Sequence, residues 1–422
     1  MILATGGGGK AWPVTSNSWE YTGDGTAMAY EAGAELMDLE FTQFHPTGMV
    51  WPLSVRGILV TEGVRGDGGI LKNNKGERFM FSYISERFAP ETADTRRGGG
   101  PLAEGRQDGA PAARAADARR GRARDHRRGE GRPRVAARRR LPRHRLARPA
   151  DVIKRKLPSM YHQFMELAEV DITKEAMEVG PTLHYFMGGI KVDSDSQMTT
   201  VPGLFGAGEC TAGMHGANRL GGNSLSDLVV FGKLAGEGAA EYVAEARVEA
   251  GGAERSDNRS GSESNRHPEP RDRRQPVPPP RQALRDDGEG RRHRAGEGRA
   301  RAGDRRDRGT HKKEAETLKA PGASQYNPGW HEALAMRSLL VTSEAVARCA
   351  LMREESRGAH TRLDHPGESK EWVKYNCVVK RGPDGTMQVE KRPKPEGPPA
   401  LVEIANAKIE DLESGKVGAQ TK

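Results

Sequence analysis

One strong cation set among glycines is the most informative chemical feature of this chain. Arg219 lies with one imidazole, His215, in the glycine-dense turn Gly213 to Gly222. Asn223 or Ser224 then caps a helix, and Asp227, three residues past Ser224, is placed to close a capping box. The apolar face of that helix reads Leu225, Leu228, Val229 and Phe231. Unpaired N–H groups, a positive helix end and a guanidinium together make chemistry for holding an anion. A guanidinium gives a carboxylate two parallel charge-assisted hydrogen bonds, which an ammonium cannot copy. A glycine-rich loop before a helix also serves as a plain tight turn, so the turn alone leaves both roles open.

Other residues carry weaker signals of the same kind. His45 lies in Gln43-Phe-His-Pro-Thr-Gly48, which reads as a loop before proline, where side chains are exposed and aimed. Glu62 and Arg65 flank a sharp turn and otherwise form a surface ion pair of little worth. Asp24, inside Thr22-Gly-Asp-Gly25, suits an Asx turn.

These residues need elements to hold them. Val201 to Ala207, broken by Pro202 and glycines, reads as a strand ending at a loop, and Met1 to Gly9 as a strand ending in glycines. Met37 to Thr42 and Ile58 to Thr61 read as short strands, Ala27 to Ala34 as a helix of small residues, and Ile190 to Thr200 as a hairpin. Lys72 to Phe88 carries an Asn-Asn-Lys-Gly turn followed by alternating Phe79, Phe81 and Tyr83. Ile153, Leu157, Met160, Phe164 and Leu167 keep helical spacing across an interruption at Pro158. A long helix is expected over Glu332 to Glu355, ending at Gly358. The tail offers a strand, Val373 to Val379, and a short amphipathic helix, Leu401 to Leu412.

Composition divides the chain. At 422 residues it has room for two or three domains, and its net charge of +9 with a pI near 9.4 would suggest a polyanionic partner. The location of the charge overturns that idea. Residues 97–148 hold 17 Arg and 5 acidic residues, and residues 250–308 hold 16 Arg and 11 acidic residues, both without Lys, Phe, Tyr, Trp, Ile, Met, Cys or Thr. These blocks carry +12 and +5, so the remainder carries 9 − 17 = −8. Neither block has the apolar content to fold by itself. GC-rich coding sequence read out of frame gives this composition; a disordered Arg-rich nucleic-acid binder is the alternative, weakened by the lack of interleaved aromatics. The three cysteines, Cys210, Cys349 and Cys377, fit no metal spacing and read as reduced thiols. No apolar run of 18 residues is present, so the chain itself is not expected to span a membrane.

Several strings together resemble one family. His215-Gly-Ala-Asn-Arg-Leu-Gly-Gly-Asn-Ser-Leu225, Ala4-Thr-Gly-Gly7, Gln43-Phe-His-Pro-Thr-Gly48, Pro181-Thr-Leu-His-Tyr-Phe-Met-Gly-Gly189 and Glu355-Ser-Arg-Gly-Ala-His-Thr-Arg362 are similar to motifs of the flavoprotein subunits of succinate dehydrogenase and fumarate reductase. The resemblance covers roughly residues 1–95, 149–248 and 312–380. It implies the C-terminal part of an α/β FAD-binding domain, an inserted α+β capping domain and a C-terminal helical domain. The implied boundaries are 1–47 and 185–248 for the FAD domain, 48–184 for the capping domain, 312–370 for the helical domain and 371–422 for a C-terminal domain, with 249–311 out of frame or disordered. The family's dinucleotide fingerprint and the histidine that carries the flavin are then expected upstream of Met1.

By the same resemblance, His45, Thr61, His184 and Arg219 hold the two carboxylates of succinate or fumarate, and Glu62 belongs to the proton path. Asp24, Glu209, Ser224 and Leu225 contact FAD, while His215 is structural or near the flavin. No metal is implied. The family's proton-shuttling arginine falls within residues 97–148, where no arginine has the required neighbours, so the chain as written is expected to have weak or no activity. The implied partners are membrane anchors and an iron–sulfur subunit, with peripheral association at the cytoplasmic side of the cell membrane and no nucleic acid. L-aspartate oxidase is a more distant member, and an Arg-rich nucleic-acid binder is the non-enzymatic alternative.

Overall fold

The computed structural model describes residues 1–73, 78–79, 143–146, 148–250, 318, 320–322, 326–407 and 411. Most of both arginine-rich blocks, the Phe79–Tyr83 alternation beyond its first residue, and the Lys312–Lys319 segment but for Leu318 lie outside these residues.

β1 (Ile2–Leu3) pairs in parallel with β8 (Phe205–Gly206), which brings the first glycines beside the segment leading to Arg219. The chain then turns at Gly23, whose φ of 77° suits glycine, into α1 (Asp24–Glu31). Asp24 stands in the first turn, where its charge meets the positive helix end, and accepts from Thr22 Oγ1 at 2.7 Å. Small buried residues, Gly25, Thr26, Ala27 and Ala29, let α1 pack closely on its neighbours.

The first four-stranded sheet runs β10-β9-β2-β7. β2 (Leu36–Met37) lies between β7 (Gly189–Ile190) and β9 (Tyr375–Arg381), and β10 (Met387–Pro393) closes the hairpin with β9. A strand close to the C-terminal end of the chain is thus built into a sheet begun before residue 40. The second sheet runs β3-β6-β5-β4, with β3 (Thr42–Met49), β4 (Gly69–Lys72), β5 (Arg143–Leu146) and β6 (Met177–Phe186).

β6 joins two apolar cores. Its Met177 and Val179 pack with Met49, Val60, Val64 and the helices α3 (Ala150–Lys156) and α4 (Pro158–Ala168), through Ile153, Leu157, Met160 and Phe164. Its Leu183 and Phe186 pack with Leu3, Leu36, Ile190, Cys377 and Val379, and with Ala345 and Cys349 of a long helix, α6 (Pro328–Met352). Asn327 caps α6 by accepting from Trp330 N at 3.3 Å, with Pro328 at the helix start where its missing N–H costs nothing. Each such side chain that is fully buried contributes about 1.5–3 kcal/mol, so β6 is fixed from both ends.

A buried ionic cluster fastens the C-terminal part to the sheet. Arg353 is 2% exposed and bonds Glu40, Glu355 Oε1 at 3.1 Å and Asp38 Oδ1 at 3.2 Å. Its guanidinium also lies over the rings of Phe41 and Trp372.

Several expectations need correction. Gln43 to Gly48 is not a loop but part of β3, because the backbone pairs with β6 through two irregularities that absorb Pro46. Ile58 to Thr61 forms no strand; it makes one bridge, Gly48 to Leu59, and hydrogen bonds to the Thr47 and Met49 backbone. The tail has two strands rather than one. Arg143–Leu146, inside the first arginine-rich block, is a strand between β4 and β6, since ladder hydrogen bonds need only backbone. The expected divisions at 47/48 and 184/185 fall inside β3 and β6, strands that pair with each other.

The helix after the glycine turn, α5 (Asn223–Ala250), also differs from expectation. Asn223 is its first residue, after Gly222 at φ 85°, and Asp227 makes no capping box. Asp227 is turned inward at 3% exposure, while Leu225, Leu228 and Val229 are exposed. Its partners are Tyr185 on β6 and His215 in the glycine turn, so this first part of the helix turns a polar residue inward.

Candidate functional site

The site is built where β3 and β6 are irregular. Gln43 pairs with Tyr185 and Phe44 with Leu183, so His184 is the extra residue of a bulge; Pro46 and Thr47 are the extra residues on β3, directly after His45. Bulges re-aim side chains, and here they bring two imidazoles together, with ring centroids 5.8 Å apart at 68°. His184 Nδ1 is 2.8 Å from Ser16 Oγ, which fixes the ring. Burial, and next the nearby Arg219 charge, hold its pKa below the usual imidazole value, so it stands neutral at pH 7. His45 Nδ1 lies 2.8 Å from the Thr47 carbonyl oxygen, which can only accept, so Nδ1 carries a proton.

Arg219 approaches from the glycine turn. Gln43 Nε2 donates to the Arg219 carbonyl at 2.7 Å and to Asn218 Oδ1 at 2.8 Å, tying this turn to β3. The Glu355 to Arg362 segment ties it from the other side: Ala359 N donates to Ala217 O at 2.9 Å, and Gly358 passes so close that a Cβ there would sit 2.2 Å from that oxygen. Arg219 is 7% exposed, and its Nε has no hydrogen-bond partner. Its Nη1 donates at 3.3 Å to Leu220 O and at 3.4 Å to Ser224 Oγ. Burial lowers its pKa, opposed by the neighbouring Glu209 and Glu62 carboxylates, and it remains a cation.

Thr61 and Glu62 lead into the one-turn helix α2 (Gly63–Gly66). A Cβ on Gly221 would meet Glu62 Oε1 at 3.4 Å, which places that carboxylate against the turn carrying Arg219. Arg65 Nη1 donates to Thr47 Oγ1 at 2.9 Å, and Thr47 Oγ1 donates to Val60 O at 2.8 Å, so Arg65 braces the irregular part of β3 after His45.

A second group gathers around the first glycines. Glu209 accepts from Phe186 N at 3.0 Å, and burial pushes its carboxyl up to about 7. A Cβ on Gly7 would sit 2.3 Å from Glu209 Oε1, and the Gly7 carbonyl accepts from Gly23 N, one residue before Asp24. Leu225, by contrast, is 71% exposed. Gly188 and Gly189 are packed against by backbone: a Cβ would lie 2.2 Å from Asp38 O and 2.3 Å from Cys210 O respectively.

The structure therefore brings His45, His184, Arg219 and Glu62 to one place, and Asp24 and Glu209 to a neighbouring one. Sequence reasoning gave no role to Gln43, Ser16 or Tyr185 and read Arg65 only as half of a surface ion pair; Gln43 and Tyr185 lie inside the quoted strings. Among the described residues, the His, Cys, Asp and Glu side chains close enough to hold a metal ion are Asp38, Glu40 and Cys377, whose carboxylates already take their cation from Arg353.

The donor set suits FAD. Glu209 and Asp24 offer acceptors, and Ser224 a hydroxyl, to a ligand rich in hydroxyl groups, and Asp227 Oδ1 is a buried acceptor without a hydrogen-bond partner. Comparison with known proteins agrees. Residues 1–225 match the family described as FAD binding domain, and residues 307–402 the family described as fumarate reductase flavoprotein C-term. The chain is 38% identical over 389 residues to a fumarate reductase (CoM/CoB) subunit from Methanothermobacter marburgensis, covering 88% of this chain and 62% of that one. It is 34% identical over 405 residues to the fumarate reductase flavoprotein subunit of Mycobacterium tuberculosis, covering 92% and 65%. Among solved structures, Mycobacterium smegmatis Sdh1 in complex with UQ1 superposes with a TM-score of 0.68 at 42% identity, covering 98% of this chain and 64% of that one. The chain thus spans a little under two thirds of the length of these relatives. A matching FAD-binding domain over more than half the chain, followed by the fumarate reductase C-terminal domain, places it in the family of FAD-dependent succinate dehydrogenase and fumarate reductase flavoproteins.

Proposed function

We propose that this chain forms the dicarboxylate-handling part of a flavoprotein subunit that interconverts succinate and fumarate. The observation that carries the proposal is Arg219, a buried guanidinium with an unpartnered Nε, standing beside two imidazoles delivered by bulges. Arg219 holds one carboxylate through charge-assisted bonds. His45, His184 and the Thr61 hydroxyl receive the other, and the separation of the two clamps fixes the carbon chain between them. Glu62, against the Arg219 turn, belongs to the route by which a proton reaches or leaves the substrate. FAD, held by Asp24, Glu209, Ser224 and the segment at Leu225, supplies hydride acceptance or donation when bound. The arginine that would move the second proton falls within residues 97–148, and none of the described residues takes its place.

The clamp is the same for either direction of reaction, and relatives named for both directions match, so oxidation of succinate and reduction of fumarate are supported equally. By the same reading membrane anchors and an iron–sulfur subunit are the partners, at the cytoplasmic face of a membrane; among the described residues no helix is long and apolar enough to cross one.

Calorimetric titration of malonate into the chain supplied with FAD tests this. Saturable binding that is lost in Arg219→Ala is expected. Absence of binding to the wild-type chain, with flavin bound, sinks the proposal.

A further inference from the structure

Arg219 has fewer restraints than its task requires. Apart from the Nη1 contacts to Leu220 O and Ser224 Oγ, both long, its guanidinium makes no hydrogen bond to the described residues. What fixes its plane is Tyr185, whose ring lies beneath it with the guanidinium carbon 4.5 Å from the ring centroid. Tyr185 is 6% exposed and sits one residue beyond the bulge at His184, paired with Gln43.

The ring is tethered in turn. Its hydroxyl donates to Asp227 Oδ2 at 3.3 Å and lies 3.2 Å from His215 Nε2, which is itself 3.5 Å from Asp227 Oδ2. The rings of Tyr185 and His215 meet edge on at 5.3 Å. Three segments, β6, the glycine turn and the first turn of α5, thus meet at one phenolic oxygen. That explains why α5 turns Asp227 inward.

We infer that Tyr185, tethered through its hydroxyl to Asp227 and His215, is a positioning residue that holds the Arg219 guanidinium flat so that its Nε–Nη2 edge faces a bound carboxylate. The Nη1 contacts and the Nε without a partner select that edge, which presents two parallel N–H groups at the spacing of carboxylate oxygens. A cation stacked on an aromatic face in a desolvated pocket gains electrostatically and loses rotational freedom before the ligand arrives, which favours binding. The inference rests on the dicarboxylate proposal only for what Arg219 binds; the stacking and the tether are features of the chain itself.

The test uses the full chain supplied with FAD and labelled with 15N in arginine. The Arg219 Nε–H resonance is identified as the one missing from Arg219→Lys. In the wild type it is expected as a resolved line in slow exchange with water. Tyr185→Leu, which removes the ring face, is expected to merge it with the exposed arginines and to weaken malonate binding at least about tenfold. Tyr185→Phe, which removes only the tether, is expected to keep a resolved line with faster exchange and a smaller loss of affinity. If circular dichroism shows that Tyr185→Leu does not fold, Tyr185→Phe decides alone. An Arg219 line and malonate affinity unchanged in the folded variants overturn the inference, as does unchanged affinity in a variant that has lost the line. A wild type with a protected Arg219 line and no malonate binding overturns the dicarboxylate proposal and leaves the positioning role standing.

Discussion

His45 and His184 meet edge to face across β3 and β6, His184 as the residue the ladder leaves unpaired and His45 directly before the unpaired Pro46 and Thr47. A regular antiparallel pair would send alternate residues to opposite faces, and the two rings would be set by register alone. The irregularities instead turn both imidazoles toward the segment that carries Arg219. The strand pair therefore does two jobs: its regular ends bury apolar residues in two cores, and its irregular middle aims the polar ones.

Protonation of His184 makes dicarboxylate binding pH-dependent. His184 is depressed by burial and then by the Arg219 charge. A bound dianion favours its protonated form, so binding takes up a proton and affinity rises as pH falls from about 8 toward about 6. Malonate titrations across that range check the sign. His184→Ala is expected to weaken binding about 10- to 100-fold, the value of one hydrogen bond to a charged group, and to reduce the pH slope.

Gly189→Ala is expected to abolish folding rather than to alter ligand affinity selectively. The added carbon would lie 2.3 Å from the Cys210 carbonyl oxygen, a backbone atom that cannot rotate away, at the point where β7 pairs with β2. Gly7→Ala makes the useful comparison, since its obstruction is the end of the Glu209 side chain, which can move. Thermal melting should show a large loss for the first and a smaller one for the second. Equal melting temperatures would mean that the backbone approach at Gly189 relaxes.

His45, His184 and Arg219 each lie in an unusual string of local sequence, and the structure places the three near one another. Element type was legible where periodicity ran long, as in α4 and α6, whose apolar spacing and proline starts are both present in the structure. It failed where tertiary pairing overrode local signals. Gln43 to Gly48 looks like a loop because Pro46 and Gly48 discourage a strand, yet β6 accepts it by bulging. Asp227 looks like a capping residue because it follows Ser224 by three, yet a tyrosine far off in sequence claims it. The β9–β2 pairing joins segments more than 300 residues apart, and no local pattern announces that.

Two buried carboxyls set a pH trend in stability. Burial raises Asp38, helped by the neighbouring Glu40 charge, to about 7, and burial raises Glu209 to about 7. A carboxyl raised in the folded state binds protons more tightly there, so its contribution is whole below the unfolded pKa of about 4 and is lost as pH rises through about 7. His360, held down to about 4 by burial, acts in the opposite sense and loses its contribution as pH falls from about 6.5 toward about 4. The informative quantity is therefore the difference between variant and wild type. Asp38→Asn and Glu209→Gln are each expected to melt at a temperature that gains on the wild type steadily from about pH 4 to about pH 7.5; a constant offset would show that neither group titrates in that window.

Arg353 is the cation that this arrangement cannot lose. It is 2% exposed and serves Asp38, Glu40 and Glu355 at once, while Glu355 is shared with Arg357 at 2.9 Å. Its partners come from the turn after β2 and from the segment after α6, so the cluster bridges the two ends of the described chain. Arg353→Met keeps much of the volume over Phe41 and Trp372 but leaves Asp38 and Glu40 without a counter-ion, and Glu40 Oε2 is already without a hydrogen bond. Removing one partner of a buried ion pair costs about 3–5 kcal/mol, enough to unfold a marginal domain. Replacing the acids as well, as in Asp38→Asn with Glu40→Gln, removes the stranded charge. The triple variant should therefore recover a large part of the stability that Arg353→Met alone loses in denaturant titration. Full loss in both would assign the effect to the packing of the arginine side chain rather than to its charge.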